Sequence, residues 1–253
     1  MNKLKLNYTS LSFLPILVCI PLGYQLITNI HFGGFKLFQE FLISAFNPKI
    51  DNEIIITVIN RLNETILIGF FSWLVSIIFG AIFGIISSNI FYKIFNIPNF
   101  FYSIIRFFLT IIRSIHEVVW GILLMQIYGI NFSIGIIAIC IPYIAVNSKV
   151  FAEQLETIDY KSFESINQIN APKFSSLLTL IWNPIINTFK NFGLYRLECS
   201  IRSTVILGLF GIGGIGTSIF LSFQTLNFRE LWTYLWSLAI LIILSGLIFK
   251  KIK

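Results

Sequence analysis

Apolar residues gather in long runs separated by short polar stretches, and the runs approach the roughly 20 residues that a helix needs to cross a bilayer. Six such runs can be drawn: Leu11–Ile30, Thr65–Ser88, Ile115–Tyr128, Phe132–Val146, Thr188–Leu209 and Leu231–Phe249. The third and fourth are short, and only Gly129-Ile130-Asn131 separates them. Glycine and asparagine there favour a turn over one long buried helix. The pattern predicts an all-α integral membrane protein with about six transmembrane helices.

The polar stretches set the orientation. Lys3 and Lys5 precede the first run, and Lys250, Lys251 and Lys253 follow the last. Lys93, Arg106 and Arg113 lie between the second and third runs, and Lys149, Lys161 and Lys173 between the fourth and fifth, with Lys190 at the edge. The opposite loops hold Lys36, Lys49, Arg61 and Arg229. The positive-inside rule then puts both termini in the cytoplasm.

Composition supports the membrane class: 56% of residues are hydrophobic and 11% charged, against about 25% charged in soluble domains. The net charge of +7 is topological. It is no nucleic-acid signal, because the basic residues are spread over several loops and form no soluble basic domain. The first apolar run imitates a signal peptide but lacks a small-x-small cleavage site, so it reads as a retained anchor. Cys19, Cys140 and Cys199 fall in apolar segments without metal-ligand spacing, and they read as small buried hydrophobes.

Two regions follow. Residues 1–63 comprise the first helix and an outside segment, whose amphipathic piece Phe35–Ser44 predicts a helix lying on the membrane surface. Residues 64–250 form the core, interrupted by a cytoplasmic segment at about 147–189. Within that segment Phe151, Leu155 and Ile158 recur at helical spacing, while Glu153, Glu156 and Asp159 occupy other faces. A second short helix carries Phe163, Ile166 and Ile169 on one stripe, ended by Asn170 before Ala171 and Pro172. Two readings stand for this helix pair: a cover over the cytoplasmic end of the bundle, or apolar residues rimmed by acids that dock into a groove of a soluble partner.

The chemistry concentrates in residues 194–216. This stretch is apolar enough to cross a bilayer, yet it contains Arg196, Glu198 and Arg202 and ends in Gly211, Gly213, Gly214 and Gly216. A charge at a helix centre costs roughly 2.5–3.5 kcal/mol, so the three need a protein interior or a water-filled path. Glu198 and Arg202 are four apart and share a face, whereas Arg196 is expected to point elsewhere. Substrate contact and a purely structural pair are both open for these residues. Arg113 and Glu117 are also four apart, at the cytoplasmic end of the third run.

Gly211, Gly213 and Gly216 satisfy Gly-x-Gly-x-x-Gly but lack the strand–helix context of a dinucleotide site. Close helix packing or an outer gate suits them better. The two histidines, His31 and His116, form no metalloprotease motif, and there is no nucleophile elbow and no P-loop. An enzymatic reading therefore lacks residues to carry it.

The motifs taken in order resemble a known family. Glu164-Ser-Ile-Asn-Gln-Ile-Asn170-Ala171 is similar to the EAA loop of ABC importer permeases, with Asn170 at the usual glycine. Arg113-Ser-Ile-His-Glu-Val-Val-Trp120 resembles the Arg-Ser-Ile-Pro-Glu-Leu-Val-Trp signature of phosphonate permeases. Tyr195-Arg-Leu-Glu-Cys-Ser-Ile-Arg202 and Leu207–Gly216 resemble their Tyr-Arg-x-Glu-x-x-x-Arg and Gly-x-Gly-Gly-Ile-Gly runs. His116 replaces the usual proline, which predicts that the kink before Glu117 is lost.

The resemblance covers about residues 64–250 and implies a MetI-like permease fold in a bacterial inner membrane. It implies a homodimer with a pair of ATPase subunits and a periplasmic substrate-binding protein, carrying phosphonate or phosphite. The permease itself would hold no cofactor, ATP being bound by the partner ATPase. It places Phe151, Glu153, Leu155, Glu156, Asp159, Glu164, Asn170 and Ala171 at the ATPase contact. Arg113, Glu117, Arg196, Glu198 and Arg202 would lie along the substrate path. A permease of the same fold for another solute, such as an amino acid, is the alternative.

Overall fold

The structure, a computed structural model, describes residues 21, 32–158 and 172–252. The first predicted span falls outside the described residues apart from Pro21, as do Asp159, Glu164, Asn170 and Ala171. The chain divides into two compact units, residues 1–47 and 48–253. In the first, α1 (Phe32–Ser44) covers the predicted amphipathic piece, with Phe35, Phe38 and Leu42 exposed.

In the second unit, α2 (Asn52–Ile86) begins well before the predicted Thr65. Its 35 residues rise about 52 Å, longer than the roughly 30 Å hydrocarbon layer. One stripe is buried, through Ile54, Val58, Thr65, Ile68, Ser72, Ser76, Gly80 and Gly84, as helical periodicity requires. The two glycines allow a close approach in the bundle core. A Cβ on Gly80 would lie 2.5 Å from Asn147 Cβ, and one on Gly84 would lie 2.6 Å from Phe151 Cβ. Small residues four apart allow this backbone proximity, which membrane helices use in place of a hydrophobic driving force. Asn147, fully buried, donates from Nδ2 to Ser76 Oγ at 3.3 Å across the same seam.

The stretch after α2, expected to be a basic loop, is helical. α3 (Asn89–Phe95) ends at Asn96 in the left-handed conformation, and α4 (Asn99–Ser114) starts after Pro98. α5 (Glu117–Tyr128) follows at an angle of 86° to α4. The kink expected to vanish with the proline is therefore present. His116 supplies it with φ −66°, the value a proline would impose, and ψ 146°, and its side chain accepts from Val118 N.

Gly129 (φ +76°) and the N-cap Asn131 make the predicted turn into α6 (Phe132–Glu156). α6 runs on past the expected end at Val146. Phe151 and Leu155 extend its buried stripe, so they belong to the membrane helix and not to a separate exposed one. Phe151 packs against Trp73 and Ile77, and Leu155 against Ile90, Ile94, Leu177 and Ile181.

α7 (Lys173–Thr188) continues through a π-helical turn, Phe189–Gly193, into α8 (Leu194–Gly208). The turn's Gly193 carbonyl accepts from Trp73 Nε1 at 2.7 Å, which fixes α8 against α2. A glycine loop leads to the short α9 (Ile215–Gln224) and then to α10 (Phe228–Ile252). Among the described residues three helices, α2, α6 and α10, are long and apolar enough to cross a membrane, or four where the bent pair α4–α5 is counted as one broken span. The expected span Thr188–Leu209 is interrupted by the π turn and charged, so it does not stand alone as one.

Candidate functional site: an arginine-lined cavity at the helix bend

The 86° bend opens a cavity of about 410 Å³ between the α4–α5 corner, α6 and α8. On α8, Arg196, Cys199 and Ser203 fall at i, i+3 and i+7 and share its face. Arg202 reaches the same space from the next position. The expectation that Arg196 points away from Arg202 is thus corrected: both arginines line one cavity. Arg113, His116 and Glu117 face it from the corner, and Pro142, Tyr143 and Val146 from α6.

Four of these side chains form a connected chain. The Arg196 guanidinium carbon sits 3.7 Å from the centroid of the Tyr143 ring. The Tyr143 hydroxyl lies 2.8 Å from Ser203 Oγ, which donates to Glu117 Oε1 at 2.6 Å. Glu117 Oε2 lies 3.5 Å from His116 Nδ1, and the carboxylate side chain is 12% exposed. Arg113 and Glu117 do not pair as their spacing predicts, because the helix breaks between them. Arg113 turns instead to Thr110 Oγ1 at 3.4 Å.

The balance of charge is uneven. Arg202 is paired with Glu198, as its spacing predicts. Arg196 has no acid: its Nε and Nη2 are buried without a hydrogen-bond partner among the described residues. Stacking on a desolvated aromatic ring returns about 2 kcal/mol, yet two buried donors left unmade cost about as much or more. Among the described residues nothing accepts from these two donors; the planar fork of arginine suits the oxygens of a carboxylate or phosphate-like group.

Arg113 also lines a second cavity of about 230 Å³, with Ser87, Arg106, Lys149 and Glu153. Here the acids expected to rim a partner site are engaged within the chain. One Glu156 oxygen accepts from Arg106 Nη2 at 2.8 Å, from Tyr102 Oη at 3.2 Å and from Asn89 N at 3.1 Å. Glu153 pairs with Lys149 at 3.4 Å. Phe151 and Leu155, as described, are buried, so neither presents the exposed stripe that the docking reading requires.

At the other end of α8 lies the glycine loop. Gly211, Gly213 and Gly214 adopt φ of +91°, +121° and +75°, which side-chain-bearing residues rarely adopt. The loop is tied to α2: Gly214 N donates to Glu64 Oε2 at 3.0 Å, and Ile215 N to Thr65 Oγ1 at 2.9 Å. Glu64 is also paired with Arg61 at 2.9 Å. These two ligands of the loop were missed in the sequence, where the available signal was an acid at the head of an apolar run. Arg61, Phe210, Gly211 and Gly213 border a further cavity of about 530 Å³.

Solved structures share this fold. The inward-facing MetNI methionine ABC transporter superposes with a TM-score of 0.69 over 80% of this chain and 97% of its own, at 16% identity. An amino acid ABC transporter with histidines gives 0.61 over 80% and 95%, at 15% identity. The fold is that of a MetI-type ABC permease. No family model matches the chain.

Among curated proteins, the chain is similar to the phosphite transport system permease protein PtxC of Stutzerimonas stutzeri, at 25% identity over 60% of this chain and 57% of that one. The phosphate-import permease protein PhnE of Mycolicibacterium smegmatis is 26% identical over 46% of this chain and 22% of its own. The putative cryptic phosphonate permease PhnE2 of Escherichia coli is 28% identical over 37% of this chain and 77% of its own. The match with PtxC thus spans little more than half of that protein's length.

Proposed function

We propose that this chain is the membrane-spanning subunit of an ABC importer for phosphonate or phosphite anions. The observation that carries the reading is Arg196, stacked on Tyr143 in a cavity with two buried donors unmatched. The similarity to phosphite and phosphonate permeases supports the same substrate class. In this reading the anion enters from a periplasmic binding protein past the glycine loop, meets Arg196 and Arg202, and leaves toward Arg113. A pair of separate ATPase subunits drives alternating access, and two copies of this chain form the pathway, with both termini in the cytoplasm.

The test is uptake of labelled phosphite or methylphosphonate into proteoliposomes holding the permease, its ATPase and its binding protein. Arg196→Gln removes the charge and shortens the side chain while keeping a polar amide. Losing charge-assisted hydrogen bonds worth about 1.5–3 kcal/mol lowers uptake roughly 10- to 100-fold. Assembly with the ATPase stays intact. Wild-type uptake by this variant refutes the reading.

A further inference from the structure

The arginine cavity contains a carboxylate where an anion path would be expected to exclude one. Glu117 faces the same space as Arg196 and Arg202, and its Oε1 is held by Ser203 at 2.6 Å. A fully deprotonated oxyanion beside Arg196 would meet this negative charge across the Tyr143–Ser203 bridge. An oxyanion that still carries one acidic proton meets it differently. Its deprotonated oxygens accept from the arginines, and its hydroxyl donates to Glu117.

We propose that Glu117 is a specificity-determining residue that admits tetrahedral oxyanions bearing a proton and rejects those without one. The proposal rests on the function proposed above and adds the protonation state of the ligand to it. A carboxylate has acceptor sites only, so it rewards a donor and leaves an anionic oxygen facing it unpaired. Phosphonate, phosphite and phosphate monoanions carry such a hydroxyl. Sulfate has the same shape but no proton near neutral pH.

The groups facing Glu117 fix the sign of its pH dependence. They are His116 beside it, Arg113 on α4, Tyr143 on α6, and Arg196, Cys199, Arg202 and Ser203 on α8. In the wild type, affinity falls as pH rises through loss of the ligand's last proton, because the dianion faces Glu117. With the carboxylate neutralised the arginines dominate, and the slope flattens or reverses.

The experiment is calorimetric titration of the purified permease in nanodiscs with methylphosphonate and with sulfate, across pH 6 to 9, on wild type and Glu117→Gln. Methylphosphonate binds the wild type at least about tenfold more tightly than sulfate. Glu117→Gln gains sulfate affinity until the ratio approaches one, and its methylphosphonate affinity no longer falls with pH. Equal affinities for the two anions in the wild type, or an unchanged ratio in Glu117→Gln, overturn the proposal while leaving the anion path intact. Binding of neither anion by the wild type overturns both. Glu117→Asp, which retains the charge, keeps the discrimination and guards against a variant that fails to fold.

Discussion

Replacing Gly216 with alanine tests whether the glycine loop is a packed joint or merely a flexible tail on α8. A Cβ there would stand 2.1 Å from the Val205 carbonyl oxygen and 2.8 Å from Gly208 Cα. Ordinary contact begins near 3.4 Å, so α8 and α9 must separate by 3.4 − 2.1 = 1.3 Å. Both opposing atoms are backbone, and no side chain can swing aside. Overpacking of this kind costs about 2–3 kcal/mol, which lowers Tm by about 4–12 °C in a chain of this size.

Gly246 provides the contrast within the same protein. It lies in α10 with nothing within 4 Å of a built Cβ, so alanine there removes only the helix penalty of glycine. That change stabilises by about 0.5–1 kcal/mol. The assay is thermal unfolding of each purified variant, followed by intrinsic tryptophan fluorescence. The two substitutions are chemically identical, and the expected Tm shifts have opposite signs. A Gly216→Ala variant as stable as Gly246→Ala would refute the packing argument.

Two further perturbations probe the cytoplasmic corner. Glu156→Gln loses the ion pair with Arg106 but keeps an acceptor for Tyr102 and Asn89. The pair is about one-third exposed, so the loss is about 1 kcal/mol or less and Tm falls by about 2–4 °C. A drop far larger than this would mean that Glu156 carries more of the α3–α4 corner than its exposure allows. His116→Pro retains φ near −66° and therefore the bend, while giving up the cap on Val118 N. It lowers Tm by no more than the few degrees of one N-cap, and it preserves uptake; loss of folding would show that the imidazole, not the backbone angle, makes the corner.

The helices were legible where periodicity and turn chemistry agree. Gly129-Ile130-Asn131 forms the predicted turn, and α2 and α6 bury stripes with the expected spacing. Boundaries failed wherever a helix outruns its hydrophobic segment. Asn52–Asn63 is polar enough to read as loop, yet Ile54 and Val58 dock on Ile215 and Tyr234, and that packing carries the helix outward. The tail of α6 misled in the same way. Its acids mimic an independent amphipathic helix, but Gly84 leaves room for Phe151 and the cluster around Leu177 takes Leu155. Such tertiary contacts are invisible in a local pattern.

The site was legible in its charges and illegible in its geometry, for a definable reason. The rule that residues two apart do not face each other concerns Cβ directions, and it holds for α8. A cavity, however, collects side chains by reach, and Arg202 on the flank of the Arg196–Cys199–Ser203 stripe is long enough to enter it. The reverse error separates Arg113 from Glu117. Their spacing pairs them only on an unbroken helix, and the break at Ile115-His116 was discounted because histidine is not proline. Histidine adopts the same extended φ and adds a capping acceptor. The break is what frees Glu117 to reach Ser203, and so what brings a carboxylate into a space that Arg113, Arg196 and Arg202 also line.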